Sequence, residues 1–400
     1  MNKIFNGCYR VYQFIMSLAV PLLPWKDTKL LSSPGSIANV PDILKKEGVH
    51  TIFIATTKGT LKRGYLNGFL DELQGIGIKY HIFSNINPDP TISSIEEGLA
   101  EYKAQNCNGI LAVGGGSVID CSKVIGARAV RPNMSVAKMK GILKIRKKLP
   151  IFIAVPTTAG TGSECTLAAV VTDEKTHYKY PINDPCLLPD YAILDGELTK
   201  DLPPHLTAQT GMDAMTHSTE AYINKFSSKE SKSYAIKSLK LIHSNLLKAY
   251  NEGHDIEARQ NMLDASFYAG KAFTKAYVGY VHAIGHAIGG IHDMPHGLTM
   301  AILLPKVLRK YDTKAEKSLS ELAIALGEDS ALSTKELSQR FIALIESYNR
   351  AMGIPDNVSS LSKSDYGEIA KRALKEANPL YPVPEIWSKK EIFEVLDKVN

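Results

Sequence analysis

The chain has 400 residues, 44% of them hydrophobic and 22% charged, with a formal net charge of +6. Those proportions exclude a disordered or fibrous polypeptide and allow two domains with separate cores. Part of the positive charge comes from Lys138, Lys140, Lys144, Arg146, Lys147 and Lys148. No aromatic residue is interleaved there and no nucleic-acid motif lies nearby, so the cluster reads as a solvated helix face and no nucleic-acid partner is expected. Cysteines 8, 107, 121, 165 and 186 are odd in number and contain no CxxC pair. Reduced thiols in a cytoplasmic protein are expected.

The apolar run Val11 to Leu23 is interrupted by Gln13 and Ser17 and ended by Pro21 and Pro24. It is too short to span a bilayer, so no integral membrane segment is expected. Phe5, Cys8, Tyr9, Tyr12, Ile15 and Ala19 recur at helical spacing and predict an amphipathic helix packed on the body or on a partner subunit. Residues 51–55 then read as a strand, 61–74 as a helix, 79–83 as a strand, the stretch after Asn87-Pro-Asp-Pro90 through Tyr102 as a helix, and 109–113 as a strand. A fourth strand, 151–155, follows the basic segment. This alternation implies a parallel, Rossmann-like sheet with helical crossovers.

Beyond about residue 200 the pattern becomes helical, at 234–250, 258–273, 319–326 and 334–352. The expected domains are therefore 1–198, α/β with a helical extension over 1–32, and 199–400, all-α.

Two strands run into glycine-rich loops. Gly114-Gly-Gly-Ser117 precedes a helical segment, where backbone N–H groups and a helix N-terminus suit a pyrophosphate. A plain tight turn needs fewer glycines. The motif is not GxGxxG, and it follows the third strand rather than the first. Pro156-Thr-Thr-Ala-Gly-Thr-Gly-Ser-Glu164 packs hydroxyls at Thr157, Thr158, Thr161 and Ser163 around two glycines. Loops at the carboxyl ends of neighbouring strands would border one crevice, the usual ligand position in open α/β sheets.

The second constellation is rich in imidazole. Asp213 and His217 stand four apart, as do His282 and His286, and His296 follows in Met294-Pro-His-Gly297. On a helix, residues four apart share a face. Asp213 and His217 alone would read as an exposed i,i+4 pair. With the other histidines they form a mixed oxygen and nitrogen ligand set with an open position, suited to Fe²⁺ or Zn²⁺. A dinucleotide and a Lewis-acidic metal together imply hydride transfer between an alcohol and the cofactor, because coordination lowers the alcohol pKa.

The chain resembles the iron-containing (group III) alcohol dehydrogenases. The resemblance is carried by Gly114-Gly-Gly-Ser-Val-Ile-Asp120, by 156–164, by Thr210-Gly-Met-Asp-Ala-Met-Thr-His217 with Glu220-Ala-Tyr222, and by 282–305. It extends from about Ser33 to the 378–384 region. It implies a dehydroquinate synthase-like architecture, NAD or NADP as cofactor, an alcohol or aldehyde substrate, and often a homodimer. By resemblance the metal ligands fall on Asp213, His217, His282 and His296. His286 falls beside the nicotinamide, where it would handle a proton or orient substrate. Dinucleotide contacts fall on Gly115, Gly116, Ser117, Asp120, Thr157, Thr158, Thr161 and Lys179.

Thr57 stands where many NAD-preferring relatives carry an acid, which leaves NADP open. Asp89 replaces a frequent asparagine and Asp195-Gly196 a usual Asp-Pro, both with effects expected on local turns. Two other functions share the architecture: a glycerol dehydrogenase-like polyol oxidoreductase, and a sugar-phosphate cyclase, which would show Glu in place of Asp213 and extra basic residues for a phosphate.

Overall fold

The computed structural model describes residues 3–400 apart from His177. Helix α1 (Lys3–Ala19) opens the chain. The α/β elements follow in order: β1 (Lys29–Ser32), α2 (Val40–Lys46), β2 (Thr51–Ala55), α3 (Lys58–Lys62), α4 (Asn67–Gly75), β3 (Lys79–Phe83), α5 (Ile92–Ala104), β4 (Gly109–Gly114), α6 (Gly116–Val130), α7 (Val136–Met139), β5 (Gly141–Ile142), β6 (Ile151–Pro156), β7 (Ala168–Asp173), β8 (Tyr178–Asn183) and β9 (Tyr191–Leu194). Six strands form one sheet in the order β1-β9-β6-β4-β2-β3, and every pairing in it is parallel. A small second sheet has the order β5-β8-β7.

The large sheet is buried on both faces, which explains its nearly continuous apolar strands. Phe53, Ile110, Ala112, Phe152 and Ala154 enter one core. Their alternating neighbours Ile52, Ile54, Leu111, Val113, Ile153 and Val155 enter the other. Strand β2 lies between β3 and β4, so the chain leaves β2 in one direction and returns on its other side. That reversal makes β2 and β4 the switch point of the sheet. The residues directly after these strands are Thr56-Thr57 and Gly115-Gly116.

The remaining elements are helices: α8 (Pro204–Ile223), α9 (Lys229–Asn251), α10 (Ile256–Ala276), α11 (Tyr280–His292), α12 (His296–Tyr311), α13 (Glu316–Ala325), α14 (Thr334–Ala351), α15 (Tyr366–Ala377) and α16 (Lys389–Leu396). Serines 228, 333 and 388 cap α9, α14 and α16 by accepting from backbone N–H groups of the first turn. Helix α8 is buried all round from Gly211 to Ile223, so its sequence has no polar stripe to mark it as a helix. No helix among the described residues is long and apolar enough to cross a membrane.

The structure departs from the sequence expectations in several places. The compact units are residues 24–202 with 254–267, and residues up to 23 with 203–253 and 268–400. The N-terminal helix therefore groups with the helical residues, and the first half of α10 groups with the α/β residues. The cause of the first is that the Gln13 amide donates to the carbonyls of Pro379 and Tyr381, at 2.9 and 2.8 Å. The packed side of α1 is also not the predicted one. Gln13 is buried, whereas Ile15 is 56% exposed and Val11, Tyr12, Phe14 and Leu18 are exposed with it. The predicted helix 61–74 is two helices, broken where Gly64 takes φ +73°. The basic segment is not a helix face. Helix α7 stops at Met139, and Gly141, Leu143 and Arg146 all have positive φ.

Candidate active site

The metal-ligand candidates lie on three helices of the helical unit. Asp213 and His217 are one turn apart on α8, His282 is in the first turn of α11, and His296 is the first residue of α12. One carboxylate oxygen is the point of convergence. Asp213 Oδ1 lies 3.8 Å from His217 Nδ1, 3.7 Å from His282 Nε2 and 3.2 Å from His296 Nε2. The candidate ligand atoms of Asp213, His217 and His282 all lie within 4.8 Å of one another. Asp213 and His282 are each only 2% exposed, whereas the His296 side chain is 40% exposed. The cluster is thus closed on one side and open on the other, as a metal that must meet substrate requires.

Close packing brings these helices together. At Gly297 a Cβ would lie 2.3 Å from the carbonyl oxygen of Gln209, so the start of α12 rests directly on the α8 backbone. The entry to α11 is fixed by α8 as well. Asn224 donates to the carbonyls of Ala276, Tyr277 and Val278. Glu220 accepts from the backbone N–H of Gly279 and Val281, each at 2.8 Å, and lies 2.6 Å from His282 Nδ1. That last contact leaves His282 Nε2 directed toward Asp213, the arrangement that orients metal-binding histidines.

Two buried atoms of the cluster, Asp213 Oδ1 and His282 Nε2, have no hydrogen-bond partner. Buried polar atoms without partners are rare and costly, and a cation answers both at once. The electrostatics agree. Burial pushes the Asp213 carboxyl up, but the charges of His217 and His296 and the nearby imidazole of His282 reverse this and hold it well below the usual carboxylate range. Burial pushes His282 down, but its closeness to Asp213 and Glu220 lifts it to about 9. The donor set of one carboxylate and imidazoles fits a divalent iron or zinc ion.

His286 is one turn beyond His282. Its ring stacks on His296 with centroids 5.1 Å apart, and its Nδ1 lies 2.8 Å from Glu376 Oε1. His217 stacks on Phe273 at 4.2 Å, so one side of the cluster is apolar.

In the α/β unit the two glycine-rich loops are neighbours, because β4 pairs with β6 in the register Gly114 to Pro156. Thr157 N donates to Gly114 O at 3.1 Å. A Cβ at Gly116 would lie 2.6 Å from Thr161 Cγ2. Glycine there lets the second loop nest against the first, and the α6 N-terminus carries no side-chain cap.

The other expected dinucleotide residues have partners within the fold. Thr57 caps α3 by accepting from Thr60 N at 3.1 Å. Ser117 Oγ donates to Pro88 O. Asp120 accepts from Ser163 Oγ at 2.5 Å and from Val170 N at 2.8 Å. Lys179 pairs with Asp89 at 2.7 Å, so Asp89 has a role beyond its own turn. Asp195, likewise, accepts from Gly35 N and Ile37 N.

Some supporting residues carried no role in the sequence reading. Glu220 is the first; it stands three residues after His217 and seven after Asp213, on the same face of α8, and that spacing was a usable signal. Lys123 is fully buried and donates to Thr166 O and Ala168 O, both at 2.8 Å. Burial brings its amine down to about 8. Ser266, which accepts from Gly162 N at 3.1 Å, and Glu376, whose carboxylate meets His286, are remote in sequence from those partners.

Comparison with known proteins accords with this architecture. Residues 27–196 match the family model for iron-containing alcohol dehydrogenase, and residues 207–399 match its C-terminal counterpart. The 1,3-propanediol dehydrogenase of Citrobacter freundii is 36% identical over 90% of this chain and 94% of its own length. The NAD-dependent methanol dehydrogenase of Bacillus methanolicus is 34% identical over 86% of this chain and 90% of its own. The solved structure of an alcohol dehydrogenase from Oenococcus oeni superposes with a TM-score of 0.89 at 33% identity, covering 94% of this chain and all of that one. With both halves of the chain matched in order, it belongs to the iron-containing alcohol dehydrogenase family and is a metal-dependent oxidoreductase acting on alcohols.

Proposed function

We propose that Asp213, His217, His282 and His296 hold one divalent ion, iron by family, and that NAD or NADP binds across the loops after β2, β4 and β6. The substrate is a small alcohol, or in the reverse direction its aldehyde. The observation that carries this reading is the convergence of ring nitrogens on Asp213 Oδ1, with two buried atoms lacking partners. When bound, the ion would supply Lewis acidity at the alcohol oxygen and the nicotinamide would supply a hydride acceptor.

The residues of this chain supply position and proton handling. Asp213 brings the negative charge of the ligand set. Glu220 fixes the tautomer and orientation of His282 through Nδ1. His286 is partly exposed and held through Nδ1, which leaves Nε2 to receive or return a proton or to orient the substrate hydroxyl. The backbone amides at the start of α6 would hold the pyrophosphate, with Gly115, Gly116, Thr157, Thr158 and Thr161 shaping its approach. Thr57 brings no negative charge beside an adenosine ribose, so a 2′-phosphate meets no repulsion there. Five thiols without a disulfide among the described residues fit a reducing cytoplasm, and a homodimer is the expected assembly.

The test is turnover. Protein reconstituted with Fe²⁺ should oxidise short primary alcohols with NAD⁺ or NADP⁺ and reduce the matching aldehydes. No turnover across a broad panel, with the metal demonstrably bound, counts against the reading.

A further inference from the structure

Val11, Tyr12, Phe14, Ile15 and Leu18 of helix α1 are exposed, and the buried residue on its packed side is a glutamine. Its attachment is polar. Gln13 is 2% exposed. Its Oε1 accepts from Arg10 Nη1 at 2.8 Å, and its Nε2 donates to Pro379 O at 2.9 Å and to Tyr381 O at 2.8 Å. Arg10 Nη2 also donates to Pro384 O at 3.3 Å. A buried amide is costly unless its groups are matched, and here both ends of the amide are engaged.

The segment that receives these bonds, Asn378-Pro-Leu-Tyr-Pro-Val-Pro384, has three prolines. Prolines offer no N–H, so the segment cannot order itself through its own ladder of hydrogen bonds, and its carbonyls need donors from elsewhere. Gln13 and Arg10 are those donors, with Lys225 N, which bonds Pro382 O at 2.7 Å. The Tyr381 hydroxyl then donates to Glu376 Oε1 at 3.0 Å, the same oxygen that lies 2.8 Å from His286 Nδ1.

We propose that α1 is a positioning element for the active site: Gln13 fixes the main chain at 379–381, and Tyr381 and Glu376 transmit that position to the His286 imidazole. The N-terminal helix thereby sets the direction in which His286 Nε2 points. The inference rests on the reading of His286 as the group that handles the proton or orients the substrate. Gln13, Tyr381 and Glu376 act through His286 and are positioning residues.

The experiment uses the full-length, metal-loaded protein and compares Gln13→Ala, Tyr381→Phe, their double variant, His286→Ala and, as a control on the outward face, Ile15→Ser. Metal content, melting temperature, kcat and both KM values are measured. Gln13→Ala and Tyr381→Phe should each lower kcat by roughly three- to tenfold, with metal content and cofactor KM unchanged. The double variant should fall no further than the worse single one, because both break the same chain of contacts. Ile15→Ser should keep wild-type kcat. A wild-type kcat in Gln13→Ala, a multiplicative loss in the double variant, or a loss that tracks missing metal overturns the proposal. Should Gln13→Ala not fold, Tyr381→Phe with wild-type kcat overturns it equally. If His286→Ala itself keeps full activity, the role given to His286 is wrong and the inference falls with it. If His286→Ala is impaired and Gln13→Ala is not, only the inference falls.

Discussion

The metal cluster and the glycine-rich loops treat their polar atoms in opposite ways. In the cluster, Asp213 Oδ1 and His282 Nε2 are buried without hydrogen-bond partners, while the residues behind them are tightly bonded. Around the loops, Thr57, Ser117, Asp120 and Lys179 all have partners in the fold, and the features left for a ligand are backbone amides and a helix end. The first region has the unpartnered atoms that an ion would satisfy. The second is complete as protein and offers a surface. A metal site should therefore fail abruptly when a ligand is removed, and the loops should respond in gradations.

The largest expected effect comes from breaking the cluster. His282→Ala should abolish stoichiometric metal binding and lower kcat/KM by at least about a thousandfold, checked by metal analysis and steady-state kinetics. Activity that persists after the metal is stripped would remove the Lewis-acid mechanism. Glu220→Ala should be next, at about 10- to 100-fold in metal affinity or activity, since it orients a ligand without being one. An equal effect from both variants would erase the distinction between ligand and support.

The effect of pH sharpens the same contrast. In the metal-free protein His282 holds its proton up to about 9, and an ion must displace that proton. Metal affinity should rise about tenfold per pH unit toward 9, with one proton released per ion, measurable by titration calorimetry in buffers of different ionisation enthalpy. The folded value lies above the ordinary 6.5, so this group stabilises the metal-free fold fully below 6.5. That contribution is lost as pH rises through 9, the opposite trend to metal binding.

Smaller effects belong to the loops. Gly116→Ala forces a Cβ onto Thr161 and should cost about 1–3 kcal/mol of stability and weaken cofactor binding while metal content holds. Adding Thr161→Ala, which removes the two closest atoms, should recover part of the loss in thermal melts. Thr57→Asp is the mildest. Aspartate caps a helix as well as threonine does, so stability should hold while the kcat/KM ratio moves toward NAD⁺; an unmoved ratio refutes the reading of Thr57.

The sequence revealed these regions unevenly. Strands β2, β3, β4 and β6 are short apolar runs between turn residues, and their order was readable. Strands β1, β5, β7, β8 and β9 were not expected from the sequence. Lys29-Leu-Leu-Ser32 is a four-residue edge, and β8 carries Lys179 and Pro181 among its apolar residues, so neither offers a clean period. Helix α8 hid for the opposite reason, being buried all round. The ligand candidates were legible because Asp213 and His217 stand four apart, as do His282 and His286. Their supports were not, apart from Glu220: Glu376 lies 90 residues from His286 and Gln13 lies 366 from Pro379, and no local pattern encodes such partnerships. The outward turn of Ile15 and its neighbours departs from the expected packing on the body, because a polar residue, Gln13, marks the side of α1 attached to it.

The single carboxylate of Glu220 grips both the start of α11 and the ring of His282. The amides of Gly279 and Val281 are in consequence built-in reporters. Their exchange with deuterated solvent should slow when the ion enters and quicken when it leaves, so that occupancy becomes readable by mass spectrometry from two backbone protons, with no substrate present.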